Sequence, residues 1–342
     1  MPENANIPKQ AGSDIRRAAR LSVAPMMDWT DRHCRMFHRQ ISRHALLYTE
    51  MVTAPAVIHG DRDKLLGFDV REHPVALQLG GSDPAQLAQA ARIGADWGYG
   101  EINLNCGCPS DRVQSGAFGA VLMKSPDLVA ECVAAMIAAQ PVEVTVKCRI
   151  GVDDQVPEAV LPDFLSKIAA AGVSRVTIHA RKAWLQGLSP KDNREIPPLD
   201  YPLVHAMKAE FPQLHISING GIATLAEAQA ELAQGLDGVM VGRAAYHQPM
   251  EVLGAADAEI WGDGRPVDPF EVAEAMKPYI ARHIASGGRL HQITRHMLGL
   301  FHARPGARRF RQILSEGATR EGAGLELFEI ALSAPREQAN EA

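Results

Sequence analysis

The chain has 342 residues, 46% of them hydrophobic and 22% charged, and a formal charge of −5. That is ordinary for a globular protein, is long enough for one large domain of about 200 to 250 residues plus a smaller one, and excludes a surface coated uniformly in positive charge while allowing a local basic face. Five cysteines in no framework spacing point to reduced thiols in a cytoplasm, and residues 1–40 hold no apolar run suited to a signal peptide or membrane span.

In chain order, residues 1–18 are polar, lack a period and read as a disordered tail. Residues 20–25 read as a first strand, closed by Pro25. Strand-like segments follow at 46–50, 75–79, 101–105, 142–147, 175–179, 215–219 and 238–241. Helix-like runs lie between most of them. Ser82-Asp83-Pro84 opens 86–93, Ser125-Pro126-Asp127 opens 128–139, and Thr224 opens 225–233 with Glu227 placed for a capping box. Gly94, Gly172 and Gly235 stand where helices should stop. Eight strand–helix alternations over about 230 residues predict a (β/α)₈ TIM barrel. No Gly-x-Gly-x-x-Gly follows the first strand, which argues against an open doubly wound sheet.

After about residue 250 the composition changes. Residues 269–333 contain only helix-like runs such as 269–286 and 290–303, and 255–268, with Gly262, Gly264 and Pro266, read as a linker. The expected division is a tail at 1–18, an α/β barrel at 19–254 and an all-helical domain at 255–342. The helical part carries Lys277, Arg282, Arg289, Arg295, Arg304, Arg308, Arg309, Arg311 and Arg320, and between 277 and 320 only Glu316 opposes them. Most charge runs are simply solvated faces. In an otherwise acidic chain, a small basic helical module also suits a phosphate backbone.

In a parallel barrel the residues just past each strand share one rim, where such folds do their chemistry. Here they are Pro25, Met26 and Met27; Gln78; Asn105 and Cys108; Lys147 and Arg149; His179 and Arg181; Asn219-Gly220-Gly221; and Gly242-Arg243. Glycine turns after the seventh and eighth strands suit a phosphate grip, with Arg243 adding a charge-assisted donor. Lys147 at a buried strand end needs an anion. Cys108 lies between Gly107 and Pro109 beyond a strand, on a stiffened turn and not in a core position. Cysteine thiols are mainly protonated at neutral pH, so such a group suits proton donation. Cys34, Cys132 and Cys148 read as core residues. Cys106-Gly107-Cys108, His33/His38 and His291/His296 are poor zinc spacings, and no metal is expected.

Together these residues resemble the tRNA-dihydrouridine synthases, most closely their A-type branch. The resemblance runs from about Leu21 to Leu314. It rests on Ala24-Pro25-Met26-Met27-Asp28, Leu104-Asn105-Cys106-Gly107-Cys108-Pro109-Ser110, Val146-Lys147-Cys148-Arg149, Thr177-Ile178-His179-Ala180-Arg181, Asn219-Gly220-Gly221 and Val241-Gly242-Arg243-Ala244. It implies tightly bound FMN held by Pro25, Met26, Met27, Gln78, Lys147 and His179, with the phosphate on Asn219, Gly220, Gly221, Gly242 and Arg243. It implies reduction of D-loop uridines (U20 and U20a) in tRNA, with NADPH as reductant, Cys108 as proton donor and Asn105 positioning the uracil. Arg149, Arg181, Lys191, Arg194, Arg295, Arg304, Arg308 and Arg311 are the tRNA contacts it suggests. The expected protein is a cytoplasmic monomer that binds neither membrane nor DNA. Two rivals share parts of this inventory. One is an ene-reductase or dihydroorotate-dehydrogenase-like flavin barrel with a small free substrate, which would have no use for the basic helical part. The other is an RNA-binding protein with a purely structural barrel, which would not require Cys108, Lys147 and His179 on one rim.

Overall fold

The computed structural model describes residues 12–110 and 118–340. Eight parallel strands close into a barrel in sequence order, with β8 returning to β1. They are β1 Leu21–Val23, β2 Leu46–Thr53, β3 Val75–Gly80, β4 Glu101–Cys106, β5 Glu143–Arg149, β6 Arg175–His179, β7 His215–Asn219 and β8 Gly238–Val241. Each predicted strand is present, shifted by a few residues at most. The register sets Asn105 beside Lys147, Arg149 beside His179 and His179 beside Asn219, so these groups are level at the C-terminal rim.

Alternation along the strands decides what faces where. Ile102, Leu104, Val144, Val146, Val176, Ile178, Ile216 and Ile218 turn outward and join the main core. The other residue set points into the barrel and is largely polar. From the rim down, Asn105 Nδ2 donates to Gln78 Oε1 (2.9 Å), Gln78 Nε2 to Asn103 Oδ1 (2.9 Å) and Asn103 Nδ2 to Thr145 Oγ1 (2.8 Å). Thr145 then donates to Glu101, which also accepts from Tyr48 and from Arg175. Burial opposes charge on Arg175, but Glu101, Tyr48 and Glu143 outweigh it and keep the guanidinium ionised. A buried polar column survives only when its members are satisfied in this way.

The helices between strands also follow local rules. Asp83 caps Pro84–Asp96 by accepting from Gln86 N, and Thr224 with Glu227 forms the expected capping box on Leu225–Ala233. Gly94 does not end its helix. It lies inside Pro84–Asp96, where a Cβ would stand 2.6 Å from Leu77 and 2.8 Å from Ile102, so glycine here lets the helix approach the sheet closely.

Two segments and one charge differ from the sequence reading. Within the expected tail, Gly12–Ala18 is a helix whose buried Ile15 and Ala18 pack against the inward-facing Leu46, Tyr48, Ala76 and Met240. Residues 1–11 lie outside the described part. The expected linker contains the helix Ala256–Trp261, docked where Asp257 accepts from Ser42 Oγ (2.5 Å) and Arg43 N (2.7 Å). Trp261 Nε1 also reaches Arg17 O at 2.9 Å. The glycine and proline signals at 262–266 mark only its second half. Lys277, counted in the basic face, is paired with Glu274 and Glu329.

The helical region comprises Pro269–Ala285, Leu290–Met297, Ala307–Gly317 and Leu325–Asn340. Phe270, Phe301, Phe310 and Phe328 form a string of ring contacts through it, with centroids 4.9, 5.0 and 6.5 Å apart. Its first two helices pack on the barrel helix Arg32–Ile41. Asp31, the N-cap of that helix, also accepts from Arg295 (2.6 Å) and the buried His296 (3.1 Å). Despite burial, which pushes it up, these partners and the Cys34 amide hold the Asp31 carboxyl well below the usual carboxylate range. Among the described residues no helix is long and apolar enough to cross a membrane, and no group of three or more His, Cys, Asp or Glu side chains could hold a metal ion.

Candidate active site

The rim is organised by one asparagine. Asn105 Oδ1 accepts from Gly107 N (3.0 Å) and Cys108 N (2.9 Å), which folds the chain after β4 into a tight turn. The Nδ2 end is tied to Gln78, so the turn is fastened to the column below it. Cys108 O accepts from Ala120 N at 2.8 Å, and the thiol, partly exposed, donates to Ser110 Oγ at 3.5 Å. Cys34, Cys106, Cys132 and Cys148 are buried.

Cations dominate the neighbourhood of that thiol. Lys147, Arg149 and Arg194 each lie within electrostatic reach of the Cys108 sulfur. Burial, then the Arg149 charge, pulls Lys147 down to about 8. Its Nζ donates to Asn219 Oδ1 (3.0 Å), while Asn219 Nδ2 donates to Met240 O (2.8 Å). His179 is buried and held well below its ordinary value by desolvation and by Arg149, Lys147, Arg181 and Arg194, so its ring is neutral. Arg243 pairs with Glu195 at 2.5 Å, with both groups about two-fifths exposed.

The glycine turn is shaped for close approach. Gly220 and Gly221 have φ of +111° and +81°, and a Cβ on Gly220 would stand 2.6 Å from His179 Cδ2. One on Gly221 would meet Leu199 at 2.6 Å and the Tyr201 hydroxyl at 2.8 Å. Tyr201 OH donates to Gly220 O at 2.5 Å. At Gly242 a Cβ would lie 3.8 Å from Ala24 and from Met26 Sδ, which brings the ends of β8 and β1 together. Met27 is exposed, and Pro25 and Met26 are half-buried. Arg181 donates to Pro197 O, but its Nε is buried with no hydrogen-bond partner among the described residues. Such orphaned donors are rare.

Not every residue sits as expected. Arg149 does not face outward: it is 3% exposed. Its Nε donates to Gly107 O, and its Nη1 to Lys182 O and Asn193 O, each at 2.9 Å. A guanidinium spent on carbonyls inside the fold is not a surface phosphate contact. Asn105 is buried with both ends of its amide engaged. Lys191 and Arg194 are exposed on the short turn at Asp192–Arg194. Arg295 is half exposed and paired with Asp31. Arg304, Arg308 and Arg311 are exposed, and no ion-pair partner exists for them among the described residues. The column residues Glu101 and Asn103 belong to a stretch whose alternation reads as a buried strand, while Thr145 and Arg175 carry no signal of an inward role. In the alternation Glu-x-Asn-x-Asn of 101–105 the polar members are the inward ones. Asn193 was passed over; it is fully buried and braces its loop by accepting from Trp184 N (2.7 Å) and donating to Trp184 O (2.9 Å).

A family profile described as Dihydrouridine synthase (Dus) matches residues 22–337. The chain belongs to the dihydrouridine synthase family. It is 60% identical over 314 residues to a tRNA-dihydrouridine(20/20a) synthase of Xanthomonas axonopodis pv. citri, covering 92% of this chain and 93% of that one. The protein of the same description from Escherichia coli K12 is 57% identical over 322 residues, covering 94% and 92%. That from Vibrio cholerae is 56% identical over 318 residues, covering 92% and 96%. Among solved structures, an old yellow enzyme homologue from Zymomonas mobilis superposes with a TM-score of 0.50 at 13% identity, over 67% of this chain and 86% of that one. A morphinone reductase in complex with tetrahydroNAD gives 0.50 at 14%, over 74% and 90%. These two likenesses concern the barrel fold alone. The family match takes in the helical region as well as the barrel.

Proposed function

We propose that this member of the dihydrouridine synthase family is a cytoplasmic, monomeric tRNA-dihydrouridine synthase that reduces the C5–C6 bond of D-loop uridines 20 and 20a, using FMN and NADPH. The observation that carries the reading is the Cys108 thiol on its Asn105-capped turn, beside a rim of cations. The similarity to proteins described as tRNA-dihydrouridine(20/20a) synthases over more than nine-tenths of the chain supplies the substrate.

The rim suits a planar anionic group. Among the described residues Lys147 is a half-buried ammonium without a carboxylate partner and Arg181 Nε is an unused buried donor, and the Gly220–Gly221 turn carries no side chain. FMN would be held by Pro25, Met26, Met27, Gln78, Lys147 and His179, with its phosphate at Asn219, Gly220, Gly221, Gly242 and Arg243. When bound and reduced, FMN would supply hydride chemistry for C6 of the uracil. Cys108 gives C5 its proton: the S–H bond breaks, its electron pair stays on sulfur, and solvent later reprotonates the thiolate. A positioned acid of this kind is worth about 10² to 10⁴ in rate. Lys147 stabilises negative charge at the rim, and neutral His179 can donate or accept without adding charge. The target base must leave its stack, at a cost of a few kcal/mol, which Lys191, Arg194 and the exposed arginines of the helical region offset by binding phosphates.

The direct test maps dihydrouridine in tRNA from cells lacking this protein, before and after the protein is restored. Loss and recovery at positions 20 and 20a are expected. Unchanged dihydrouridine at both positions overturns the reading.

A further inference from the structure

Two buried arginines are spent on backbone carbonyls and two on carboxylates: Arg39 donates to the carbonyls of Ser42, Ala45, Glu72 and Pro74 with no ion pair among the described residues, and Arg149 is of the same kind. Arg35 is paired with Glu72 at 2.7 Å, and Arg175 with Glu101 and Glu143. Arg149 is equally buried but, among the described residues, has no carboxylate partner. Desolvation, helped by the Arg194 and Arg181 charges and opposed by the Cys108 sulfur, pulls its guanidinium down to about 10. Holding an unpaired charge inside a protein is expensive. The geometry indicates what keeps it there: one fork of donors joins two loops. Nε holds Gly107 O in the turn that presents Cys108, and Nη1 holds Lys182 O and Asn193 O in the loop that carries Lys191 and Arg194. Each loop is stiff on its own account. Asn105 caps one, and the buried Asn193 braces the other with bonds to Trp184, Leu188 and Ser189. Gly107 packs against the same strand end, since a Cβ there would lie 3.6 Å from Arg149 Cγ.

We propose that Arg149 is a positioning residue that couples the Cys108 turn to the Lys182–Arg194 loop, so that RNA seated on that loop sets the placement of the proton donor. This rests on the proposed reaction for the role of the two loops, and the coupling itself is measurable without turnover. A lysine keeps the charge but offers no planar fork able to reach both loops. A displacement of about 1 Å at a reacting group can cost about 10²-fold in rate.

The test uses the full-length flavin-loaded protein with Arg149→Lys and Asn193→Ser. Two quantities are read: the rate of Cys108 alkylation by iodoacetamide at fixed pH, with Cys108→Ala giving the background of the buried thiols, and the kinetic constants with tRNA. In Arg149→Lys, kcat should fall about 10- to 100-fold while KM for tRNA changes less than about threefold. Cys108 alkylation should speed up several-fold as its turn loosens. Asn193→Ser alters only the far loop, yet should also speed Cys108 alkylation. The two substitutions together should do little more than either alone, as expected for one connected unit. Native alkylation in Asn193→Ser, or an Arg149→Lys variant with normal kcat and raised KM, overturns the proposal; the latter would make Arg149 a direct RNA contact. If the native protein forms no dihydrouridine, the reaction assignment fails, while the alkylation comparison still decides the coupling. Should Arg149→Lys not fold, Asn193→Ser alone decides it.

Discussion

Lys147 offers a prediction whose sign and size both follow from its surroundings. Burial and the nearby Arg149 charge lower its ammonium to about 8, against an ordinary value of 10.5. In the window from pH 8 to 10.5 the unfolded chain still holds a proton that the folded chain has released. Stability therefore rises with pH across that window. Integrated, the difference is worth about 3 kcal/mol, and about 2 once the partial exposure of the ammonium is allowed for. Lys147→Met has no such proton. It also loses the bond to Asn219 Oδ1, a constant penalty of about 1 kcal/mol. The stability of flavin-free native protein and variant should be measured by urea unfolding at several pH values. The gap between them should move by about 2 kcal/mol in favour of the native chain between pH 7 and 10.5. Curves that stay parallel across this range would show that Lys147 carries no burial penalty, and the argument that it awaits an anion would fall.

Other consequences are read in separate assays. Cys108→Ala should retain FMN and tRNA but lose about 10² to 10⁴ in turnover; full activity would remove the thiol from the reaction. Gly220→Ala combines a left-handed φ with a 2.6 Å clash on His179, so it should cost about 2 to 4 kcal/mol in urea unfolding. Gly235→Ala, with φ +99° but nothing within 4 Å, should cost only about 1, and equal costs would refute the claim that His179 is packed on the glycine turn. Replacing Arg308 and Arg311 by alanine should weaken tRNA binding and lower its salt slope by about 2; an unaltered slope would place the RNA grip elsewhere.

The barrel was legible because its outward residues obey a simple rule. Val144, Val146, Val176, Ile178, Ile216 and Ile218 alternate with polar partners, and parallel strands in sequence order bring their ends to one rim. The positions of Lys147, His179 and Asn219 at that rim could therefore be read from the chain. Partnership could not. An arginine after a strand looks the same whether it reaches into solvent or bends back onto carbonyls. Arg149 is placed by Gly107, 42 residues away, and Asn193, 44 residues away. The helix Gly12–Ala18 was hidden for a related reason. Seven residues give no hydrophobic period, and Ile15 acquires its meaning only from the barrel floor above it.

How each arginine is compensated also orders what it can do. Arg175 is neutralised by Glu101 and Glu143, so its charge is spent on the fold. Arg149 is hydrogen-bonded but not neutralised, so it can shape the field around Cys108 while remaining out of reach of a ligand. Arg243 shares one exposed carboxylate, Glu195. Such a surface pair is worth about 0 to 1 kcal/mol, so exchanging that carboxylate for a phosphate at the same rim is cheap. Arg308 and Arg311 are exposed and have no ion-pair partner among the described residues, which leaves their charge available to a polyanion. Availability thus increases from the barrel axis outward. The fold needs that order if one end of the site is to stay rigid while the other accepts and releases a large charged substrate.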